Sequence, residues 1–334
     1  MTAHTETAAG LRVLVTDHII GRFEPLLTSH GTDGHTWTMA AGWPEQRMLA
    51  ALPDTDVLVC TRMSPAMARA GTNLRLVHVA GAGYDNIPLD LLAPEVAVAN
   101  TFNHGRSIAE HVLMCAMMLA RRTLTADREM RDGVWRTVAT DPRAAFGATV
   151  LGRTLGLIGL GEIGLETARL ATAMGMRVRA VRHNPAAPVP GEVALDWVGG
   201  VGELDLLLKA SDVVVVTVPL NEDTHGLVGE REFRAMRPSA FLINVARGPI
   251  VDEAAAYAAL STGVIAGAAF DVWWGGRGGP EPPSRLPFGE LPNVILTPHH
   301  SGHTRDTFEG RARDIAANIE RLAQGRPLAN LVRT

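Results

Sequence analysis

Three glycines in one short segment are the first residues of this chain whose spacing carries chemistry. Gly159-Leu160-Gly161-Glu162-Ile163-Gly164 follows the apolar run Leu155-Gly156-Leu157-Ile158 and opens a helical pattern. A strand before it and a helix after it turn a weak G-x-G-x-x-G match into a specific one. In that setting Gly159 permits the tight turn, Gly161 lets a pyrophosphate approach the backbone, and Gly164 lets the helix pack on the strand. The helix N-terminus adds unpaired N–H groups and the positive end of its dipole. The segment therefore points to a bound dinucleotide, against the alternative of a glycine-rich turn with no ligand.

The next apolar run, Met176–Val181, ends at Arg182, 18 residues after Gly164. A site for NAD usually has an acidic residue here, accepting hydrogen bonds from the ribose 2′-hydroxyl. This chain has Arg182-His183-Asn184 instead. A carboxylate repels a 2′-phosphate, whereas a guanidinium binds it bidentately. Arg182 thus favours NADP(H) over NAD(H), with a solvated strand-end arginine as the alternative. His299, His300 and His303 invite a metal reading, since His299 and His303 are four residues apart. Pro298 and Gly302 break a continuous helix there, and the cluster holds no acid, so no metal site is expected.

These residues need a scaffold. Short β-branched runs alternate with helical patterns: Leu11–Thr16, Asp56–Thr61, Leu74–Val79 and Val96–Ala99 early, then Thr154–Gly159, Met176–Val181, Val213–Val218, Ala240–Val245, Val264–Phe270 and Val294–Thr297. Helical stretches such as Gly161–Met174, Leu204–Ala210 and Asp252–Leu260 lie between the later ones. Near-continuous apolar strands alternating with helices imply parallel sheets covered on both faces. Two longer segments read as helices, Ser107–Arg131 as one unit of about seven turns and the amphipathic Thr304–Gln324 stopped by Gly325. Domain crossings placed at these helices give a discontinuous substrate-binding domain, 1–104 plus 304–334, and a dinucleotide-binding domain, 105–303. The stretch Gly275–Pro283 is a loop by composition.

Composition narrows the partners. The 334 residues exceed one ordinary core. A net charge of −4 without a basic block argues against nucleic acid. No run of 18 apolar residues argues against a membrane span. Met1–Gly10 lacks a basic segment leading into an apolar core and reads as a frayed tail, so a cytoplasmic protein is expected. Cys60 and Cys115, both in apolar surroundings, read as buried thiols in a reducing compartment.

With the glycine fingerprint in place, further segments resemble the D-isomer-specific 2-hydroxyacid dehydrogenase family. Val77–Asn86 (VHVAGAGYDN) resembles its substrate loop and Ile108–Arg121 (IAEHVLMCAMMLAR) its interdomain helix. Val216–Thr224, Phe241–Glu253, Ala268–Val272 and Leu291–Gly302 resemble its cofactor-domain signatures, collinear over residues 55–325. The resemblance implies two Rossmann-like, doubly wound parallel-sheet domains with an interdomain active-site cleft, and a homodimer. It implies that Arg247 binds the carboxylate and carbonyl of a small anionic substrate and that His299 is the acid/base. The backbone amides of Ala82 and Gly83 would help hold the carboxylate. Glu162, Ile163, Val218, Pro219, Val245, Asp271 and Gly302 would line the dinucleotide site. Trp273 and Trp274 read as core packing, with a pocket wall as the alternative.

The chemistry suits those residues. Reduction of a keto acid builds charge on oxygen, which an imidazole can protonate. A planar guanidinium can grip the carboxylate and polarise the carbonyl together. Arg62, after the strand Asp56–Thr61, leaves two readings open: an anchor for a second anionic group, or a solvated arginine. The sequence departs from the family pattern in two places. One is Arg182. The other is Gly276, where a glutamate followed by proline is expected, five residues after Asp271. The nearest such pair, Glu281-Pro282, stands five residues further on, and Glu281 is the candidate carboxylate partner of His299. The expected activity is NAD(P)-dependent reduction of a small 2-keto acid to a D-2-hydroxy acid, or the reverse. A phosphite- or phosphonate-type dehydrogenase and a non-catalytic dinucleotide sensor are the alternatives.

Overall fold

The computed structural model describes residues 10–29, 34–191, 193–275 and 282–333. The rest of the N-terminal tail and the segment 276–281, with Glu281, lie outside the described residues. The chain divides into two compact units, residues 1–103 with 303–334, and residues 104–302.

The first unit is built on β1 (Arg12–Val15), β2 (Thr36–Met39), β3 (Val57–Cys60), β4 (Leu76–Val79) and β5 (Ala97–Ala99), with α1 (Glu24–Thr28), α2 (Glu45–Ala51) and α3 (Pro65–Ala70) between them. The second unit opens with α4 (Gly105–Arg121) and α5 (Thr123–Arg131). Its strands are β6 (Thr154–Ile158), β7 (Arg177–Val181), β8 (Trp197–Gly199), β9 (Val213–Val216), β10 (Phe241–Asn244), β11 (Gly267–Phe270) and β12 (Val294–Leu296). Its other helices are α6 (Glu162–Ala173), α7 (Leu204–Ala210), α8 (Glu230–Ala235) and α9 (Glu253–Ser261). The chain then returns to the first unit through α10 (Arg305–Ala323) and β13 (Leu331–Arg333).

The first sheet runs β13-β5-β4-β3-β1-β2, parallel except for β13. The second runs β12-β11-β10-β9-β6-β7-β8, with every strand pair parallel. Alternation of side chains along each strand splits the core of each unit into two layers. In the second unit Val214 and Val216 pack with Leu204, Leu207, Leu208 and Phe233, from α7 and α8. Val213 and Val215 pack on the opposite face with Val112, Ala116 and Ala168, from α4 and α6. In the first unit Val57 and Val59 meet Ala312, Ile315 and Ile319 of α10, while Leu58 and Cys60 meet Met67 and Ala68 of α3. Both sheets are therefore doubly wound, and Cys60 and Cys115 are buried in these layers.

The structure corrects one expected element. Ser107–Arg131 is two helices, because Arg122 adopts the left-handed conformation (φ 54°, ψ 36°) that ends α4 and starts α5. It also adds β2, β8 and β13, strands at sheet edges that the sequence pattern did not announce. Thr304 caps α10 by accepting from the Thr307 amide, and Gly325 follows that helix with a positive φ, as its composition implied.

His78, on β4, is fully buried between its own strand and α10. Its Nε2 accepts from the Asn318 side-chain amide at 3.0 Å, and Nδ1 faces the Val79 carbonyl at 3.3 Å, a pattern the neutral ring satisfies. Burial pushes its pKa from 6.5 down to about 4, against opposing contributions from the Val79 carbonyl and Asp314. Between those two values the unfolded chain takes up a proton that the folded chain refuses. Stability should therefore fall as pH drops from 6.5 to about 4, by up to about 3 kcal/mol, and level off below. Urea unfolding midpoints across this range should show that decline in the wild type and a shallower one in His78→Gln.

Candidate active site

In a parallel sheet every strand points the same way, so all the loops after the strands gather along one edge. In the second unit that edge holds the residues the sequence singled out. Read across the sheet, the loop after β12 carries His299, β11 runs into Asp271, and β10 leads to Arg247. Then β9 leads to Val218 and Pro219, β6 to Gly159 and Gly161, and β7 to Arg182. Neighbouring strands lie about 5 Å apart, so this order runs from the histidine at one side to Arg182 at the other. Strand order reverses between β6 and β9, the position where such sheets open a ligand crevice.

The glycine turn fits a phosphate group. Gly159 has φ 105°, and a Cβ there would stand 2.9 Å from Val218 Cγ1 and 3.0 Å from Thr217 Oγ1. The Thr217 hydroxyl in turn donates to the Gly159 carbonyl at 3.0 Å, tying the turn to β9. At Gly164 a Cβ would come within 2.6 Å of the Gly159 carbonyl oxygen, so α6 lies directly on the turn. Gly161 is different: it is exposed, and a Cβ there meets nothing within 4 Å. Nothing in the protein requires glycine at 161, whereas a group approaching the N-terminus of α6 would. Glu162, exposed in the first turn of α6, accepts from the Gly105 amide at 3.4 Å and so also caps α4. Ile163 is half-buried beside it.

Arg182 is half-buried. Its amide donates to the Gly199 carbonyl at 3.0 Å and its Nη2 reaches the Pro185 carbonyl at 3.4 Å. Its Nε is buried without a hydrogen-bond partner, and no carboxylate among the described residues lies within ion-pair distance of it.

Arg247 and His299 are each held by groups to which the sequence reading gave no such role. Asn244, fully buried at the end of β10, accepts from the Ala246 amide at 3.1 Å and donates to the Arg247 carbonyl at 2.9 Å, closing the loop on which Arg247 stands. A Cβ on the next residue, Gly248, would fall 2.1 Å from the Trp273 carbonyl oxygen, so this loop is wedged against the chain after β11. Arg247 itself is half-buried, with Nη1 on the Ala246 carbonyl at 2.8 Å.

His299 is half-buried and has φ 58°, in the left-handed region. Asp271 secures that turn. It is 1% exposed; Oδ1 accepts from the Thr297 hydroxyl at 2.6 Å and the His300 amide at 2.9 Å, and Oδ2 accepts from the Ser301 amide at 3.0 Å. Burial alone would raise the Asp271 pKa, but the hydrogen bonds from Ser301, Thr297 and His300 outweigh it and hold the carboxyl below its ordinary value. Ser107 of α4 donates to the Ser301 carbonyl at 2.6 Å, and the Trp273 indole N–H donates to the Thr297 carbonyl at 2.9 Å. Asp271, which the family pattern puts in the dinucleotide lining, also clamps the histidine loop from beneath. Trp273 and Trp274 are half-buried and pack on Phe270, and the Trp274 indole donates to the Val251 carbonyl at 2.7 Å.

Val245 is buried, Val218 and Gly302 half-buried and Pro219 exposed, each in a loop at this edge. In the first unit Arg62 is exposed after β3. Ala82 and Gly83 follow β4, where the Ala82 carbonyl accepts from the Asn100 side chain at 2.7 Å. Glu281 lies outside the described residues.

The sequence profile described as "D-isomer specific 2-hydroxyacid dehydrogenase, NAD binding domain" matches residues 113–301. A glyoxylate reductase of Korarchaeum cryptofilum is 34% identical over 96% of this chain and 95% of its own. A D-3-phosphoglycerate dehydrogenase of Archaeoglobus fulgidus is 31% identical over 96% of this chain, which spans 59% of that longer enzyme. Among solved structures, a D-isomer specific 2-hydroxyacid dehydrogenase from Xanthobacter autotrophicus, in complex with NADPH and MES, is 28% identical. It superposes with a TM-score of 0.78, covering 97% of this chain and 98% of its own. The chain belongs to the D-isomer specific 2-hydroxyacid dehydrogenase family, NAD(P)-dependent oxidoreductases that interconvert 2-keto acids and D-2-hydroxy acids.

The glycines separate structural need from ligand need. Gly164→Ala forces α6 off its turn and should lower both the melting temperature and dinucleotide affinity. Gly161→Ala should leave the melting temperature within about 2 °C of wild type while weakening dinucleotide binding at least tenfold. Thermal melts and fluorescence titration with NADPH read both.

Proposed function

We propose that the chain reduces a small 2-keto acid to the D-2-hydroxy acid with NADP(H) in preference to NAD(H). The observation that carries the cofactor choice is Arg182, a half-buried cation at the end of β7 with no acid beside it among the described residues. A nicotinamide dinucleotide supplies the hydride of the reaction. The amides at the start of α6 hold its phosphates, and Arg182 offers a charge-assisted contact to a 2′-phosphate.

The protein's own part is to hold the acid and to place a proton. Arg247, its loop closed by Asn244, takes the carboxylate and polarises the carbonyl. His299 gives a proton to the carbonyl oxygen as charge builds there. Ala82 and Gly83 offer amides to the same carboxylate, with Arg62 an anchor for a second anionic group on the substrate. We assign substrate binding to the unit formed by residues 1–103 and 303–334 and dinucleotide binding to residues 104–302. Glu281 is our candidate carboxylate partner of His299. Trp135 (77% exposed), Phe146 (84%) and Leu151, apolar residues exposed in and beside the segment after α5, support a homodimer. No helix among the described residues is long and apolar enough to cross a membrane, and we place the enzyme in the cytoplasm.

Oxidation of NADPH and NADH against a panel of small keto acids, glyoxylate and hydroxypyruvate included, tests the activity. kcat/KM should be higher with NADPH, and Arg182→Asp should move the ratio toward NADH by about tenfold to a hundredfold, the worth of one charge-assisted contact. A wild-type preference for NADH would refute the cofactor assignment.

His299→Ala should lower kcat by roughly 10²–10⁴ with dinucleotide affinity little changed. Arg247→Lys should raise KM and lower kcat despite keeping the charge, because it loses the planar fork. Glu281→Gln should lower kcat at neutral pH. Steady-state kinetics of the three variants decide these roles, and wild-type turnover in any of them removes that residue from the mechanism.

A further inference from the structure

On the reading above, Arg247 and His299 meet one small keto acid, the first on its carboxylate and the second on its carbonyl oxygen. Their loops follow β10 and β12, with β11 between them. They therefore leave the sheet two strand spacings apart, roughly 10 Å. The chain leaving β11 runs between them. Asp271, its first residue past the strand, clamps the histidine loop. Two residues on, Trp273 touches both loops. A Cβ on Gly248, the residue after Arg247, would fall 2.1 Å from the Trp273 carbonyl oxygen and 2.3 Å from its carbonyl carbon, so the two backbones lie flush. The Trp273 indole N–H donates to the Thr297 carbonyl at 2.9 Å, two residues before His299. The indole is half-buried and packs on Phe270, with centroids 6.4 Å apart and planes at 50°.

We propose that Trp273 is a positioning residue, a strut that sets the separation of the Arg247 loop from the His299 loop. The inference rests on the assignment of those two residues to substrate. One end of the strut is the Trp273 backbone, seated against Gly248; the other is its indole, bonded to the backbone beside His299. Phe270, fully buried under the ring, keeps the indole from swinging away. Separation matters because proton transfer needs the imidazole within about 2.6–3.2 Å of the oxygen it serves, and a misplacement of about 1 Å can cost on the order of a hundredfold in rate. Gly248 belongs to the same arrangement, since any side chain there would push the Trp273 backbone outward. Trp274 supplies an internal comparison. It is also half-buried, packs on Phe270 at 5.4 Å between centroids and donates its indole N–H at 2.7 Å. That bond ends on the Val251 carbonyl, in the bridge to Val228 and away from the histidine loop.

The test compares wild type with Trp273→Phe, Trp274→Phe, His299→Ala and the double variant Trp273→Phe/His299→Ala. Measurements are kcat with NADPH and the keto acid of the panel that wild type turns over fastest, NADPH Kd by fluorescence titration, and melting temperature. Each Phe keeps a ring on Phe270 and removes one indole N–H, so the two tryptophan variants should lose similar amounts of melting temperature. Trp273→Phe should lower kcat about two- to tenfold, the worth of one neutral hydrogen bond, with Kd unchanged. Trp274→Phe should keep the wild-type kcat. In the His299→Ala background Trp273→Phe should cost nothing further, because the group it places is gone. Wild-type kcat in Trp273→Phe, equal losses of kcat in the two tryptophan variants, or an undiminished cost in the His299→Ala background would overturn the inference. In each of those cases a slow His299→Ala would still support the acid/base assignment. Wild-type turnover in His299→Ala would instead remove that assignment, and the inference with it.

Discussion

Parallel pairing is the constraint from which the site follows. Two parallel neighbours cannot be joined by a tight turn, so each strand of the second unit must be followed by a crossing segment before the next begins. The crossings return over both faces of the sheet, which is why Val213 and Val215 face α4 and α6 while Val214 and Val216 face α7 and α8. They also force the outgoing ends of β6, β7, β9, β10, β11 and β12 to one edge. The phosphate turn, Arg182, Arg247, Asp271 and His299 come from segments up to 140 residues apart in the chain, yet no special folding event is needed to gather them. The reversal of strand order between β6 and β9 adds the crevice, and Thr217 ties its two sides together.

Within that frame the turn at His299 is a costly local feature. A left-handed non-glycine residue costs on the order of 1–2 kcal/mol. A hydrogen bond to a charged acceptor contributes about 1.5–3 kcal/mol, and Asp271 accepts three from this one loop. The clamp wins comfortably, and it does so with an ionised group that the same donors keep ionised. Glycine at 299 would remove the strain, but it would remove the imidazole as well. The arrangement keeps the side chain and spends buried hydrogen bonds to hold the backbone that presents it. Arg122 shares the conformation for a simpler reason: it marks the boundary between α4 and α5, where its side chain is exposed and carries no such clamp.

Much of this was legible in the residues. The central strands are unbroken apolar runs because they are buried on both faces, and such runs stand out. The helices Leu204–Ala210 and Arg305–Ala323 fall where periodicity and end signals put them. β2, β8 and β13 were not legible, because strands at an edge are half-exposed and short, and Thr36–Met39 or Trp197–Gly199 have no pattern that separates them from loop. The break at Arg122 was hidden for a related reason: Arg-Arg-Thr-Leu fits a helix as well as it fits a stop. At the site, glycines and charged residues announced themselves by type, whereas their supports did not. Asn244 closes the Arg247 loop and Ser107 holds the histidine loop, yet each reads in isolation as an ordinary polar residue. The one signal available was position, since Asn244 is the lone polar residue ending the otherwise apolar Phe-Leu-Ile-Asn strand.

The same distinction explains why Arg182 stands apart from the other arginines. Several of them lie in exposed ion pairs, for instance Arg106 with Glu110 and Arg305 with Glu309, contacts worth little in water and easily exchanged. Arg153 and Arg237 converge on Asp212, which also accepts from the Thr154 amide and so anchors the start of β6. Arg182 has neither arrangement. Its backbone is fixed to β8 through the Gly199 carbonyl and its side chain reaches the Pro185 carbonyl, so its charge is held in place with no carboxylate at ion-pair distance among the described residues. A half-buried cation with no nearby acid costs free energy. On the reading proposed above, an anionic group of the cofactor at the end of β7, one strand away from the glycine turn, would offset that cost.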